Sequence, residues 1–252
     1  YDLTGLPPTV AEIEAFLADK SPNAFSKTVE RLLASPHYGE KWGRHWLDVA
    51  RYADSNGLDE NLAYVNAFRY RNYVINSFNE DKPYNRFVQE QIAGDLLPLS
   101  KNESDEMRHS RRIATGFLSV GAKMLAEDDG RKMEMDIIDE QLDTLGRAFM
   151  GMTIGCARCH DHKFDPIPTR DYYSLAGIFK STHTMDNHKV VAQWHEVELG
   201  SADLRAKREL VDKEVKKQKQ TIESLKSKSA KSITTQARSV AADYLIGALV
   251  KL

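Results

Sequence analysis

The sequence holds only two cysteines, almost no net charge and no long apolar run. With 35 basic against 37 acidic side chains, no global field draws the chain to an anionic membrane surface or to nucleic acid, and no nucleic-acid partner is expected. No apolar stretch approaches the roughly 18 residues needed to cross a bilayer, so no transmembrane segment is expected and the chain reads as soluble. The start, YDLTGLPP, lacks the basic, then apolar, then small-residue order of an export signal. It also begins without Met, and the sequence stops at LIGALVKL inside an apolar helical pattern. We read it as an excerpt of a longer protein, so the missing signal says nothing about compartment. G-x-S-x-G, P-loop and H-E-x-x-H patterns are all missing, which removes support for the common hydrolase and nucleotide-binding classes. So is sustained period-two alternation, which leaves a mainly α fold.

Helix signals are what the sequence does have. Thr9 and Glu12 have capping-box spacing ahead of VAEIEAFLADK. Ser21-Pro22 offers an N-cap and a first-turn proline before Phe25, Val29, Leu32 and Leu33. A third helix is expected through EKWGRHWLDVARYA, breaking at Asp54-Ser55-Asn56-Gly57. RYRNYVINSFN and YNRFVQEQIAGDLL predict two more, with a further short element at RRIATGFLSV after the polar spacer SKNESDE. Glu127 to Gly130 reads as a loop, and the spacing of Ile137, Ile138, Leu142, Leu145, Phe149 and Met152 predicts one long helix over Met133 to Ile154. Residues 1–195 are therefore read as an irregular multi-helix domain with long loops. Residues 196–252 form a charged, coiled-coil-like connector, in which Leu204, Val211, Gln218 and Leu225 recur every seven positions in a Lys/Glu background.

Both cysteines fall in Cys156-Ala157-Arg158-Cys159-His160, the C-x-x-C-H pattern of covalent haem c attachment. The spacing suits that chemistry, since two thiols can meet the two vinyl groups of a porphyrin while the adjacent imidazole reaches the iron. Two other readings stay open. A zinc site could use Cys156, Cys159 and His160 or His162, but no second C-x-x-C or spaced His pair completes four ligands. A redox or structural disulfide would use the same spacing, without the strands of a thioredoxin context.

A haem would need a second axial position. His45, among Trp42, Trp46 and Tyr52, is the candidate, with a hydrogen-bonded helix-packing histidine as the plainer reading. Met150 and Met152 are better explained as core. Arg51 is expected either to bridge Asp48 and Asp54 along a helix or to meet a haem propionate through its planar fork. Lys163 could pair with a propionate, and Asp165 could orient an imidazole. The plainer reading of DHKFDP is a turn leading to an N-cap at Thr169. Asp54 to Asp59 hints at a calcium loop but has its glycine at the wrong position and Val65 where a bidentate Glu belongs, so an EF-hand is rejected.

Five segments, DLTGLPPT, SPHYGEKWGRHWLDVARYADSNG, YRNYVINSFNEDKPYNRFVQEQIAGDLLP, ATGF and GCARCHDHKFDPIPTRDYYSLAGIF, together resemble the planctomycete cytochrome c-associated domain-of-unknown-function family, over about residues 1 to 183. The resemblance implies an exported multidomain protein, extracytoplasmic (periplasmic or cell-surface), with a cytochrome c domain elsewhere in the full-length chain as partner. It carries Cys156, Cys159 and His160 over as the attachment motif and supplies no activity. The expected role is electron transfer through covalent haem c. The alternatives are a haem- or metal-dependent oxidoreductase acting on extracellular carbohydrate, and a structural domain with a zinc or disulfide cysteine pair.

Overall fold

Capping chemistry decides where most helices start. In the computed structural model, which describes residues 1–58, 60–98 and 103–250, α1 (Val10–Ala18) opens with a reciprocal capping box. The Thr9 N–H donates to Glu12 Oε2 at 2.7 Å, and the Glu12 N–H to Thr9 Oγ1 at 3.3 Å. Helix α2 (Ala24–Leu33) starts later than Ser21-Pro22 suggests, because Asp19 Oδ1 takes the Ser21 N–H at 2.9 Å and holds those residues in a turn. Helix α3 (Pro36–Val49) has Ser35 as N-cap and proline at its first position. It ends earlier than expected, since Arg51 adopts φ 55. Helices α4 (Ala67–Asn79), α5 (Tyr84–Ala93) and α6 (Asp105–Ala114) follow, then α7 (Gly130–Leu145) and α8 (Thr169–Lys180). A short antiparallel hairpin, β1 (Met185–Asn187) with β2 (Gln193–Trp194), was not expected. The loop from Asp54, where the sequence hints at a calcium loop, runs into Asp59, which lies outside the described residues, as does the Ser100 to Asn102 part of the polar spacer. Within that loop the buried Asn56 takes the Leu62 N–H at 2.7 Å and donates to the Lys123 carbonyl at 3.3 Å.

The chain divides into two compact units, Tyr1–Val197 and Glu198–Leu252. In the first, one core gathers around Trp46 of α3, whose indole N–H reaches Gln91 Oε1 at 2.9 Å and Tyr70 Oη at 3.0 Å, with Phe87, Phe117 and Phe149 packed about the ring. The buried Glu90 beside it is held by Lys82, Arg86 and the Tyr73 hydroxyl at 2.7, 2.8 and 2.9 Å. Burial pushes its carboxyl up, but these donors keep it below the ordinary carboxylate value. A second core joins Ile138 and Leu142 of α7 to Tyr172 and Ala176 of α8. Among its described residues the second unit holds one helix, α9 (Ala202–Leu249), of 48 residues. Every side chain described along it is exposed, including Leu204, Val211 and Leu225 of the seven-residue repeat. Among the described residues, no helix is long and apolar enough to cross a membrane.

Helices α3 and α4 approach closely because α3 presents Gly39 and Gly43, one turn apart. A Cβ at Gly39 would overlap the Ile75 carbonyl oxygen and lie 2.6 Å from Asn79 Oδ1, the atom that accepts the Gly39 N–H. Gly39→Ala is therefore expected to cost about 1–3 kcal/mol by forcing the helices apart. At Gly43 the nearest atom to a new Cβ is Ile75 Cγ1 at 3.4 Å, an ordinary contact. Gly43→Ala should instead gain about 0.5–1 kcal/mol of helix propensity. Urea denaturation of the two variants separates them, and equal midpoints would contradict the close-approach argument.

Candidate functional site

The long helix expected over Met133 to Ile154 is interrupted. After Leu145 the chain widens into a π turn (Gly146–Met150) and reverses at Gly151, whose φ of 66 is left-handed. The next segment folds back so tightly that a Cβ at Gly146 would lie 2.7 Å from Ile154 Cγ1 and 2.8 Å from the Met152 carbonyl. Only glycine at that position lets the cysteine segment lie over the end of α7.

That segment, Ile154–Arg158, is a 3-10 turn. With three residues per turn, positions i and i+3 eclipse. Ile154 and Ala157 therefore share the inner side and are buried in the second core, while Cys156 on the turn and Cys159 at its C-terminal cap are both free and exposed. Arg158 pins the turn from beneath. Its guanidinium meets Asp136 at 2.7 Å and Asp139 at 3.3 Å on α7, and its carbonyl accepts the Tyr173 hydroxyl at 3.2 Å. Partial burial pulls the guanidinium down, but the Asp136 hydrogen bond and the charges of both acids leave it above its ordinary value. Tyr172, buried and donating to Asp139 at 2.6 Å, is pushed up first by burial and then by that carboxylate.

His160 is exposed, and its Nδ1 lies 2.8 Å from the Asp161 carbonyl. A carbonyl only accepts, so Nδ1 carries the proton and Nε2 the lone pair, the tautomer that suits a metal ligand. His162 is different. Its Nδ1 accepts the N–H groups of Asp165 at 2.8 Å and Phe164 at 3.2 Å, which leaves Nε2–H to donate to Thr153 Oγ1 at 3.0 Å. Both nitrogens of this nearly buried ring are engaged, so His162 braces the turn and is not offered to an ion.

Asp161 adds a further brace, its Oδ1 accepting the Thr169 N–H at 2.8 Å. Thr169 is therefore the first helical residue of α8 and not its cap, and the carboxylate eight residues earlier does the capping. Asp165 stands 3.4 Å from His162 Nδ1 instead of orienting His160. Lys163 is exposed over the ring of Phe164, 5.1 Å from its centroid, and Phe164 is itself 82% exposed. The bracing roles of Asp161 and His162 are not legible in the sequence, which offers His162 as an alternative zinc ligand and Asp161 as a polar residue in a turn.

Cys156, Cys159 and His160 thus follow one another on one exposed stretch of chain, with the exposed Lys163 three residues further on. His45 and Arg51 belong to other surroundings. Helix α3 packs on α4, whereas the cysteine turn packs on α7 and α8. His45 is exposed and rests against Trp42 of its own helix, ring centroids 5.4 Å apart. Arg51 does not bridge Asp48 and Asp54. Its left-handed backbone swings the guanidinium to Glu140 of α7, while Asp48 faces Arg44 at 3.9 Å and Asp54 accepts the Tyr52 hydroxyl at 2.6 Å. Burial and that carboxylate push the Tyr52 hydroxyl up to about 12.

Two surface clefts, one at Asp128–Arg131, Glu134 and His188 and one between Leu62–Tyr64 and Val191–Trp194, include no residue of the cysteine turn. No curated protein and no solved structure matches the chain. A family model named PSCyt2 and described as a protein of unknown function (DUF1549) matches residues 1–184, which span α1 to α8 and the whole cysteine turn. The chain therefore belongs to the DUF1549 family.

Proposed function

We propose that Cys156, Cys159 and His160 form a covalent haem c attachment site and that residues 1–197 act as an electron-transfer domain of a longer, exported protein. The observation that carries this reading is the outward presentation of two free thiols and a correctly protonated imidazole from one turn whose other residues are anchored inward. A bound haem would supply a one-electron couple at its iron. The chain's own part is to offer Cys156 and Cys159 Sγ for the two thioether bonds and to aim the His160 Nε2 lone pair with Nδ1 tied to Asp161. Lys163 offers an ammonium to a propionate. Phe164, exposed on the same loop, offers an apolar ring to a porphyrin face.

The spread of these groups favours haem over zinc. Tetrahedral zinc, with bonds of about 2.0–2.3 Å, needs donor atoms roughly 3.3–3.8 Å apart. Among the described residues, Cys156, Cys159 and His160 do not converge into such a group. Attachment of haem to C-x-x-C-H would place the domain outside the cytoplasm, and a cytochrome c domain in the same full-length chain would be its electron partner. The open setting of the turn, apart from both clefts, suits relay of electrons better than turnover of an extracellular carbohydrate.

The test is the absorption spectrum of protein exported from a host that matures c-type cytochromes, with a haem-stained denaturing gel. One covalent haem per chain with a low-spin spectrum is expected. Conversion to high spin by His45→Ala would assign that residue as the distal ligand. A natively exported protein without a chromophore overturns the proposal, and a high-spin parent that binds carbon monoxide overturns the relay reading.

A further inference from the structure

The hairpin after α8 brings together three side chains that sequence spacing does not connect. Its register pairs Met185 with Trp194, and the His195 N–H donates to the Thr184 carbonyl at 2.9 Å. Strand pleating puts Met185 and Trp194 on the inner side, Met185 buried and Trp194 edge-on to Tyr64 with ring centroids 5.9 Å apart. Asp186 and His195 consequently share the outer side, where His183 joins them from the end of α8. Further backbone bonds, Ala192 N–H to the Leu125 carbonyl at 2.7 Å and Glu127 N–H to the Val190 carbonyl at 3.3 Å, hold the hairpin to the loop before α7.

We propose that His183, Asp186 and His195 form a binding site for one divalent transition-metal ion of the zinc class, with a coordination position open to solvent and the adjoining groove. Asp186 Oδ1 lies 2.7 Å from His195 Nδ1 and 3.4 Å from His183 Nε2, and the three donor atoms all fall within 4.8 Å of one another. Zinc bonds of about 2.0–2.2 Å in tetrahedral geometry set ligand atoms about 3.3–3.6 Å apart, so the His183–Asp186 separation already fits and the His195–Asp186 separation must open by roughly 0.6 Å. A plain His–Asp pair accounts for one imidazole. The second ring, edge-on to the first at 4.2 Å between centroids, competes for the same oxygen. An ion among the three gives each donor its own bond, with the His195 proton carried on Nε2. Two imidazoles and one carboxylate are the donor set of open, three-ligand zinc and iron(II) sites. Asp186 also lines the groove of about 480 Å³ that contains Trp194, Tyr64 and Glu196. An ion held here would therefore stand at the groove's edge, with a water or a ligand oxygen as fourth partner.

The test uses the full chain, free of any His tag and carrying Cys156→Ser and Cys159→Ser so that thiols cannot compete. Zn2+ titration calorimetry and the visible spectrum of the Co2+ form should give one ion per chain. His195→Ala, Asp186→Asn and His183→Gln should each weaken binding by about 10–100-fold and abolish the cobalt bands. All three side chains are exposed, so unchanged circular dichroism is expected in every variant. Failure of the parent to bind at millimolar Zn2+, or a change below tenfold in the variants, overturns the site.

Discussion

Produced alongside a haem c maturation system, the Cys156→Ala, Cys159→Ala double variant is expected to lose all covalently bound haem while the parent carries one per chain. Each thiol makes one thioether, so each single variant should retain haem more weakly than the parent, and the double should keep none through denaturation. The fold should not suffer. Both cysteines are exposed and make no disulfide, so their truncation is expected within about 0.5 kcal/mol of the parent. Loss of haem can thus be read apart from loss of structure, by intact mass and haem staining beside a urea curve. Unchanged staining in the double variant would sink the attachment reading.

A different kind of loss is expected from Glu140→Ala. Lys123 is 1% exposed, the deepest ammonium described in the chain, and its Nζ donates to the Val120 carbonyl at 2.7 Å while pairing with Glu140 Oε2. The same carboxylate pairs with Arg51 through Oε1 and accepts the Thr144 hydroxyl at 3.1 Å. Removing it leaves two cations facing each other with no anion, a loss of about 3–5 kcal/mol for a broken buried pair. The sign of the pH dependence follows from Lys123. Burial, and secondarily the Arg51 charge, holds its ammonium below the ordinary 10.5 even with Glu140 in place. Without Glu140 the value falls further. Between that lowered value and the unfolded value the unfolded chain binds more protons, so stability rises with pH across the window. The variant should therefore recover part of its loss in alkali, and adding Lys123→Met should recover more at neutral pH by removing the stranded charge. Urea midpoints at neutral and alkaline pH measure this. A loss below about 1 kcal/mol, or one indifferent to pH, would contradict the account.

The residues whose structure could be read from sequence are those governed by neighbours a few positions away. Thr9 with Glu12 and the apolar spacing of α4, α5 and α8 act within one or two turns, and there expectation and structure agree. Where a distant partner decides, the reading fails. Helix α3 stops at Val49 and Arg51 turns left-handed where its guanidinium meets a carboxylate 89 residues away. Helix α7 ends at Leu145 because Gly146 lets Ile154 fold against it, a contact that apolar periodicity cannot signal. Strands of three and two residues are too short to show alternation, so the hairpin stayed hidden. At the candidate site the C-x-x-C-H spacing singles out Cys156, Cys159 and His160 as candidates. Their support was not legible, because Asp161, His162 and Arg158 act through backbone groups and through acids on α7.

Helix α9 carries a thermodynamic consequence of its own. Its 48 residues bury nothing among themselves, and ion pairs such as Arg208–Asp212 and Lys226–Glu223 are surface contacts worth a few tenths of a kcal/mol each. Its order is then a matter of helix–coil statistics, a costly nucleus followed by cheap propagation, with fraying from both ends. Little apolar surface is exposed when it melts, so its heat-capacity change is small and its transition broad. Ellipticity lost on heating should drain gradually from α9 and fall in a step from residues 1–197. A single melting temperature for the whole chain is accordingly not a defined quantity, and the slope before the step belongs to the helix.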